Sequence, residues 1–310
     1  MSLSTAELER GAVNLGTLAV GAGPAVVIGG PGADARWVSL RDHHGRVGAA
    51  GAVAAVRAGW PGPVLVEPFS AGDLAEIAEH ADGVVVGAAW MQDFQLVRAV
   101  ARLGLPVLVQ RGPAATLEEW LAIADYCVAE GNDRILLCES GSRTHLAGVT
   151  LDLALMRAAR SRSGRPVLVD LGEDPTLAGA AIAAGADGLL LAPDATEQTA
   201  LAAQEAAKVV GALTRPEAPG SVLAARGAID RVDAALAVLL ERRAELAGTV
   251  QRLKPVGGFA GRDMDRERRL VAEMARRAPA LGEARLAPIM NAVIEAGLHL
   301  AEERRASGQA

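Results

Sequence analysis

Aromatic side chains are scarce in this chain of 310 residues, which has three Phe, one Tyr and four Trp. With 51% of the sequence apolar, the core must be built from Ala, Val, Leu and Ile. Cysteine is scarcer still. Cys127 and Cys138 stand in unrelated contexts, with no CxxC or Cys/His spacing, and read as buried thiols, not as a disulfide or metal framework. No apolar run reaches the ~20 residues a bilayer span needs, and Met1 to Gly11 lacks a basic-then-apolar leader pattern. These absences predict a soluble, cytoplasmic protein with no membrane partner. Excess positive charge is lacking too: the net charge of −6 gives no general attraction for nucleic acid. An anionic ligand would need a local cationic site.

Two textures divide what is there. From about residue 12 to 194, short β-rich runs alternate with Ala-rich helical stretches. The runs begin at Ala25, Trp37, Val64, Gly83, Pro106, Arg134, Pro166 and Gly188, and each is almost continuously apolar, as a parallel sheet buried on both faces requires. Eight such strands, mostly spaced by one helix, predict a (β/α)8 barrel over residues 1–213, an α/β fold. Thr17–Gly21 suits a small hairpin or lid over the barrel bottom. Ile28 and Trp37 leave no room for the crossover helix that parallel neighbours normally need, so the barrel is incomplete or locally open there. The Pro- and Gly-containing segment 214–221 reads as a linker. Beyond it, residues 222–310 form an all-α domain of three helices. The first runs from Val222 to Lys254, the second starts near Met264 with Asp263 as N-cap, and the third covers about 283–304. Three helices with one very long member make a poor autonomous core, which predicts a homodimer or higher oligomer.

On the long helix, at 100° per residue, Val232, Leu236 and Val250 fall within about 20° of Arg243. Arg243 is therefore a cation in the middle of an apolar stripe, with Lys254 close to the same line and Arg226 at its edge. On the second helix Asp263, Arg266, Glu267 and Leu270 share 3–4 spacing. Two readings are open: internal ion pairing, such as Arg243 with Glu267, or several cations converging on a ligand with more than one carboxylate.

The pattern Arg226-x2-Ile229-Asp230-x2-Asp233-x2-Leu236-x2-Leu239-Leu240-x-Arg242-Arg243-x2-Leu246-Ala247, then Lys254, then Arg262-Asp263-x2-Arg266-Glu267, resembles the all-helical chorismate mutases over nearly all of 222–304. That resemblance implies an intertwined dimer in which Arg243, Arg266 and Lys254 come from one chain and Arg226 from the other. The arginines would bind the two carboxylates of chorismate and Lys254 the ether oxygen. Asp263 and Glu267 would contact the substrate hydroxyl or orient the cations. The resemblance assigns catalysis to Lys254, Arg243 and Glu267 and implies no cofactor and no metal. The chain departs from the family on the third helix, where Ala301 replaces the usual Gln or Glu and Gly297 the frequent Ser one turn earlier. Glu302 either swings in or is a solvated helix end. The departure leaves amino-deoxychorismate or isochorismate as alternative substrates, and a non-catalytic regulatory partner of a shikimate-pathway enzyme as a third reading.

The barrel carries Ala88-Ala89-Trp90-Met91-Gln92-Asp93-Phe94, Pro106-Val107-Leu108-Val109-Gln110-Arg111-Gly112-Pro113 and Gly131-Asn132-Asp133-Arg134-Ile135. These segments resemble the bacterial 3-deoxy-arabino-heptulosonate 7-phosphate synthases. That family's metal-site Cys, His and Glu fall on Gly32, Glu173 and Ala192, and Asp194 alone remains. Its phosphate-binding Lys is Gln110, and its Lys-Pro-Arg loop is replaced by Asp42-His43-His44-Gly45. The barrel is therefore expected not to catalyse. An adjacent His43-His44 pair with Glu173 reads as solvated, not as a metal site. Arg111 and Arg143 either bind a small anion or, with Glu139, form an ion pair in the barrel.

Overall fold

The computed structural model describes residues 11–42, 46–145, 148–215, 217, 219–254, 256 and 258–307. His43 and His44, considered above as metal ligands, lie outside the described residues. The chain divides into two compact units, Met1–Val232 and Asp233–Ala310.

The first unit opens with a hairpin of β1 (Val13–Leu15) and β2 (Leu18–Val20). The barrel strands follow: β3 (Val26–Ile28), β4 (Arg36–Ser39), β5 (Val64–Glu67), β6 (Gly83–Val86), β7 (Val107–Gln110) and β8 (Ile135–Glu139). Two short strands, β9 (Ser142–Arg143) and β10 (Val149–Thr150), pair with each other before β11 (Val167–Gly172) and β12 (Gly188–Leu191) complete the barrel set. Between them run α1 (Ala49–Arg57), α2 (Leu74–His80), α3 (Phe94–Ala101), α4 (Leu117–Ala129), α5 (Leu153–Ser163) and α6 (Ala178–Ala183), with α7 (Glu197–Thr214) after β12. Capping is built into the sequence: Thr116 and Glu119 form a reciprocal capping box on α4, and Asp93, Asp152 and Thr196 cap α3, α5 and α7.

The eight strands form one parallel sheet in the order β3-β12-β11-β8-β7-β6-β5-β4. The alternation of apolar residues sorts its two faces. Val64, Val66, Val84, Val107, Val109, Leu137 and Val169 pack under the helices. Leu65, Val85, Leu108, Leu136, Leu168 and Leu190 fill the barrel interior together with Val13, Leu15 and Val20 of the hairpin, which plugs one end. Both faces are apolar, which is why the strands read as unbroken hydrophobic runs. The barrel is nearly closed. Its end strands β3 and β4 meet in a single bridge, Ile28 with Ala35, because a turn replaces the first crossover helix. Gly29, Gly30 and Gly32 take positive φ there, and a Cβ on Gly29 would stand 2.8 Å from the Leu191 carbonyl oxygen. The Trp37 indole N–H donates to that same carbonyl at 2.7 Å and ties the seam. Cys127 and Cys138 are free and buried; burial pushes the Cys127 thiol up to about 11.

The second unit is all helical. The long helix α8 (Val222–Leu253) ends in it, followed by a short 3₁₀ turn (Phe259–Gly261), α9 (Met264–Arg277) and α10 (Gly282–Ala306). Asp263 caps α9, its Oδ1 accepting the Arg266 backbone N–H at 2.9 Å. Among the described residues of α8 only Ala235 is fully buried, and Leu236, Leu239, Leu246 and Val250 remain 43–53% exposed. α9 and α10 are too short to cover a 32-residue helix. No helix is long and apolar enough to cross a membrane, among the residues described.

A buried carboxylate ties the barrel's last turns together. Asp187, 1% exposed, accepts from Arg160 at 2.9 Å, from Arg215 at 3.0 Å and from the Val167 backbone N–H at 3.1 Å. Asp187→Ala should cost the barrel roughly 3–5 kcal/mol, because it strands two guanidinium groups and a buried N–H. All four tryptophans lie in the barrel, so the fluorescence midpoint in urea measures this; an unchanged midpoint would refute the assignment.

Candidate functional site

The helical unit encloses a cavity of about 260 Å³. α8 supplies Arg243, Leu246 and Val250, with Lys254 just past its end; the turn supplies Gly258, Gly261 and Arg262; Asp263 caps α9, which supplies Arg266 and Glu267; α10 adds Ile294 and Leu298. Five of the six residues singled out in the sequence thus line one space. The exception is Arg226, exposed and 17 residues along the same helix from Arg243, a distance of about 25 Å at 1.5 Å per residue.

The charges are not balanced within this space. Arg243 is partly buried, and its Nη1 reaches only the Val293 carbonyl oxygen, at 3.4 Å. Burial and the neighbouring Arg266 hold its pKa below the usual guanidinium value, against the pull of Glu267. Glu267 does not pair with it. Both Glu267 oxygens are taken by Arg262, Oε1 at 3.1 Å from Nε and Oε2 at 2.6 Å from Nη2. Of the two readings left open by the sequence, the Arg243–Glu267 pair is therefore absent. Among the described residues neither Arg243 nor Arg266 forms a salt bridge. Lys254 Nζ donates to the Gly261 carbonyl at 2.9 Å. The Asp263 carboxyl lies below the ordinary carboxylate range, chiefly because it accepts the Arg266 backbone N–H. Arg243 with one long hydrogen bond and no carboxylate partner, an exposed Arg266 with no salt bridge among the described residues, an ammonium and an apolar wall can together receive a small anion with more than one negative group.

At the position of the departure on α10, Gly297 is buried, and a Cβ there would stand 3.9 Å from Arg243 Nη1. Glu302 is exposed and stands over Gly258, where its Oε1 would lie 2.8 Å from an added Cβ. It sits at the rim and does not line the cavity. Sequence reasoning passed over Arg262 as a functional side chain, and with it Asn291 and Glu295 of α10, which bind it. A polar triplet split between a turn and a distant helix leaves no local spacing signal.

The strand ends of the barrel are polar but closed on themselves. Arg111, 1% exposed, clamps Glu139 through Nε at 2.5 Å and Nη2 at 2.8 Å, and also donates to Ser142 Oγ and the carbonyls of Gly112 and Ala115. Gln110 donates to Asp170 at 2.9 Å and accepts the Ala88 N–H. Burial raises the Asp170 carboxyl above its usual range. Ser39 donates to Glu67 at 2.6 Å, and Arg41 lies over the Trp90 ring. Asp170, Glu67 and Arg41 were not marked in the sequence. Arg143 is exposed, as are Glu173 and Asp194, and Arg143 does not join the Arg111–Glu139 pair.

Comparison with known proteins follows this division. Residues 225–302 match the family described as chorismate mutase type II. A phospho-2-dehydro-3-deoxyheptonate aldolase of Thermotoga maritima is 36% identical over 137 residues, 41% of this chain and 40% of that protein. A 2-dehydro-3-deoxyphosphooctonate aldolase of Acidithiobacillus ferrooxidans is 26% identical over 147 residues, 42% of this chain and 52% of that protein. The chain thus spans about half or less of the length of these curated relatives. A truncated 3-deoxy-D-arabino-heptulosonate 7-phosphate synthase structure from Thermotoga maritima superposes with a TM-score of 0.57 at 26% identity, covering 66% of this chain and 94% of that one. Residues 49–215, more than half of the chain, match the DAHP synthetase I family. The chain belongs to the DAHP synthetase I family, with a type II chorismate mutase domain fused at its C-terminal end.

Proposed function

We propose that the chain is a chorismate mutase, converting chorismate to prephenate in the helical domain at 222–310, while the barrel at 1–213, joined through the linker 214–221, makes no heptulosonate phosphate. The observation that carries the first half is the pair of guanidinium groups without a salt-bridge partner among the described residues, Arg243 and Arg266, in a small cavity where Arg262 holds Glu267. Chorismate brings two carboxylates, which these cations would meet. The reaction breaks one C–O bond and forms one C–C bond within a single molecule, with no nucleophile and no proton transfer. The site must hold the reactive chair and stabilise charge growing on the departing ether oxygen. Lys254, at the cavity edge, is the donor for that oxygen. Asp263 and Glu267 contact the substrate hydroxyl or orient the cations.

The reading includes a homodimer. The exposed stripe of Leu236, Leu239, Leu246 and Val250 needs a cover, and Arg226 can complete a pocket only in a second copy. Sedimentation at micromolar concentration should show a dimer or larger species, and a well-folded, active monomer would contradict it. Arg243→Ala should abolish rearrangement, since loss of a charge-assisted contact to the substrate removes several kcal/mol of transition-state binding, about 10²-fold or more in kcat/KM. Loss of chorismate ultraviolet absorbance reads it directly. Near-normal turnover by a folded Arg243→Ala protein would sink the site assignment. The missing side chains at Gly297 and Ala301 favour the second reading, an amino or iso relative of chorismate as substrate, which the same assay separates.

The inactive barrel rests on its residues. A synthase of this family uses a divalent ion, and the positions for it here are Gly32, Glu173, Ala192 and Asp194, which do not fit one. Among the described residues no cluster of His, Cys, Asp and Glu is arranged to hold a metal. The phosphate cradle is spent as well, with Gln110 bound to Asp170 and every polar atom of Arg111 engaged inside the protein. Incubation with phosphoenolpyruvate, erythrose 4-phosphate and Mn²⁺ or Co²⁺ should leave both substrates unconsumed. Metal-dependent consumption above background would overturn the reading.

A further inference from the structure

Arg262 stands between the 3₁₀ turn and the cap of α9, and it is the most heavily bonded side chain of the cavity. Its Nε and Nη2 grip both oxygens of Glu267. Its Nη2 also donates to Asn291 Oδ1 at 2.7 Å and its Nη1 to Glu295 Oε1 at 3.3 Å, and Asn291 Nδ2 binds Glu295 Oε1 at 3.0 Å. The planar fork is thus fixed from α10 on one side and spends its other edge on Glu267.

Glu267 lines the cavity together with Arg243 and Arg266, neither of which forms a salt bridge among the described residues. It is close enough to Arg243 to pull that guanidinium's pKa upward. A carboxylate that turned onto Arg243 or Arg266 would occupy the donors a dicarboxylate substrate needs, and would compete with it from inside the protein. We infer that Arg262 is a positioning residue that holds Glu267 away from Arg243 and Arg266, so that these stay free for the carboxylates of the substrate. The inference rests on the dicarboxylate reading of the cavity. It makes Arg262 act on substrate binding through another side chain, without touching the substrate.

The test is a double-mutant cycle on the full chain with chorismate, using Arg262→Gln, Glu267→Gln and the pair. Arg262→Gln alone should raise KM about tenfold, the scale of one lost charge-assisted contact, with kcat changed far less. In the Glu267→Gln background, where the Glu267 carboxylate is gone, the same substitution should leave KM within about twofold of the Glu267→Gln value. Arg262→Lys, which keeps the charge but not the fork, should fall between wild type and Arg262→Gln, and it carries the cycle if the Gln variant loses its helical circular dichroism. Equal KM losses with and without the Glu267 carboxylate would show a merely structural role and overturn the inference. Wild-type protein that neither turns over nor binds chorismate would overturn the functional reading itself, and the inference with it, a result distinct from additive losses.

Discussion

An arginine placed in the middle of a helix's apolar stripe has to be answered by negative charge, and the helical domain is organised around how that demand is met. Moving a guanidinium from water into a half-apolar site costs several kcal/mol unless a partner repays it. The structure contains a candidate partner, Glu267, close by, and yet gives it to Arg262. Asn291 and Glu295 of α10 hold Arg262 from the other side. Arg243 is left without a carboxylate partner while three polar side chains gather around Arg262. A charge left open by arrangement is a stronger sign of binding than a charge left open by chance.

The barrel shows the opposite treatment of the same chemistry. Its Arg111 is more deeply buried than Arg243, but Glu139 satisfies it in a bidentate pair, and three further acceptors fill its remaining donors. Gln110 bridges Asp170 and the Ala88 N–H, linking strand ends. A network satisfied in this way rigidifies a core. Here Arg111 with Glu139, and Gln110 with Asp170, hold one another across the strand ends.

The architecture was largely legible in the sequence because parallel strands buried on both faces leave long apolar runs. Even the defect could be read: eight residues between Ile28 and Trp37 cannot hold a crossover helix, and the seam there is one bridge and a tryptophan hydrogen bond. The cavity was legible for a different reason. Arg243, Asp263, Arg266 and Glu267 carry helical spacing, so a wheel places them on facing surfaces before any tertiary contact is known. What could not be read was which cation holds Glu267. Arg262 lies just outside α9, and Asn291 and Glu295 are some thirty residues away on another helix, so no periodicity joins them. Asp170 escaped notice for the same reason, since its partner Gln110 lies on a separate strand.

The small residues of α10 set the remaining problem of the site. If one of two donors to a developing oxyanion is gone, the barrier rises by about 3–4 kcal/mol unless another group takes its place. Glu302 is a poor substitute where it stands, exposed at the rim beside Gly258, and as a carboxylate it would have to be protonated before it could donate. Gly297 is a different case. The backbone there is helical, and a side chain's Cβ would meet Ala247 at 3.6 Å and Arg243 at 3.9 Å, ordinary contact distances. Nothing steric therefore requires glycine at 297, and a small side chain there would reach the neighbourhood of Arg243. With Ala301, Gly297 leaves α10 without the polar side chains expected from the mutase pattern, which is the reason to weigh chorismate's relatives beside chorismate in the proposed reading.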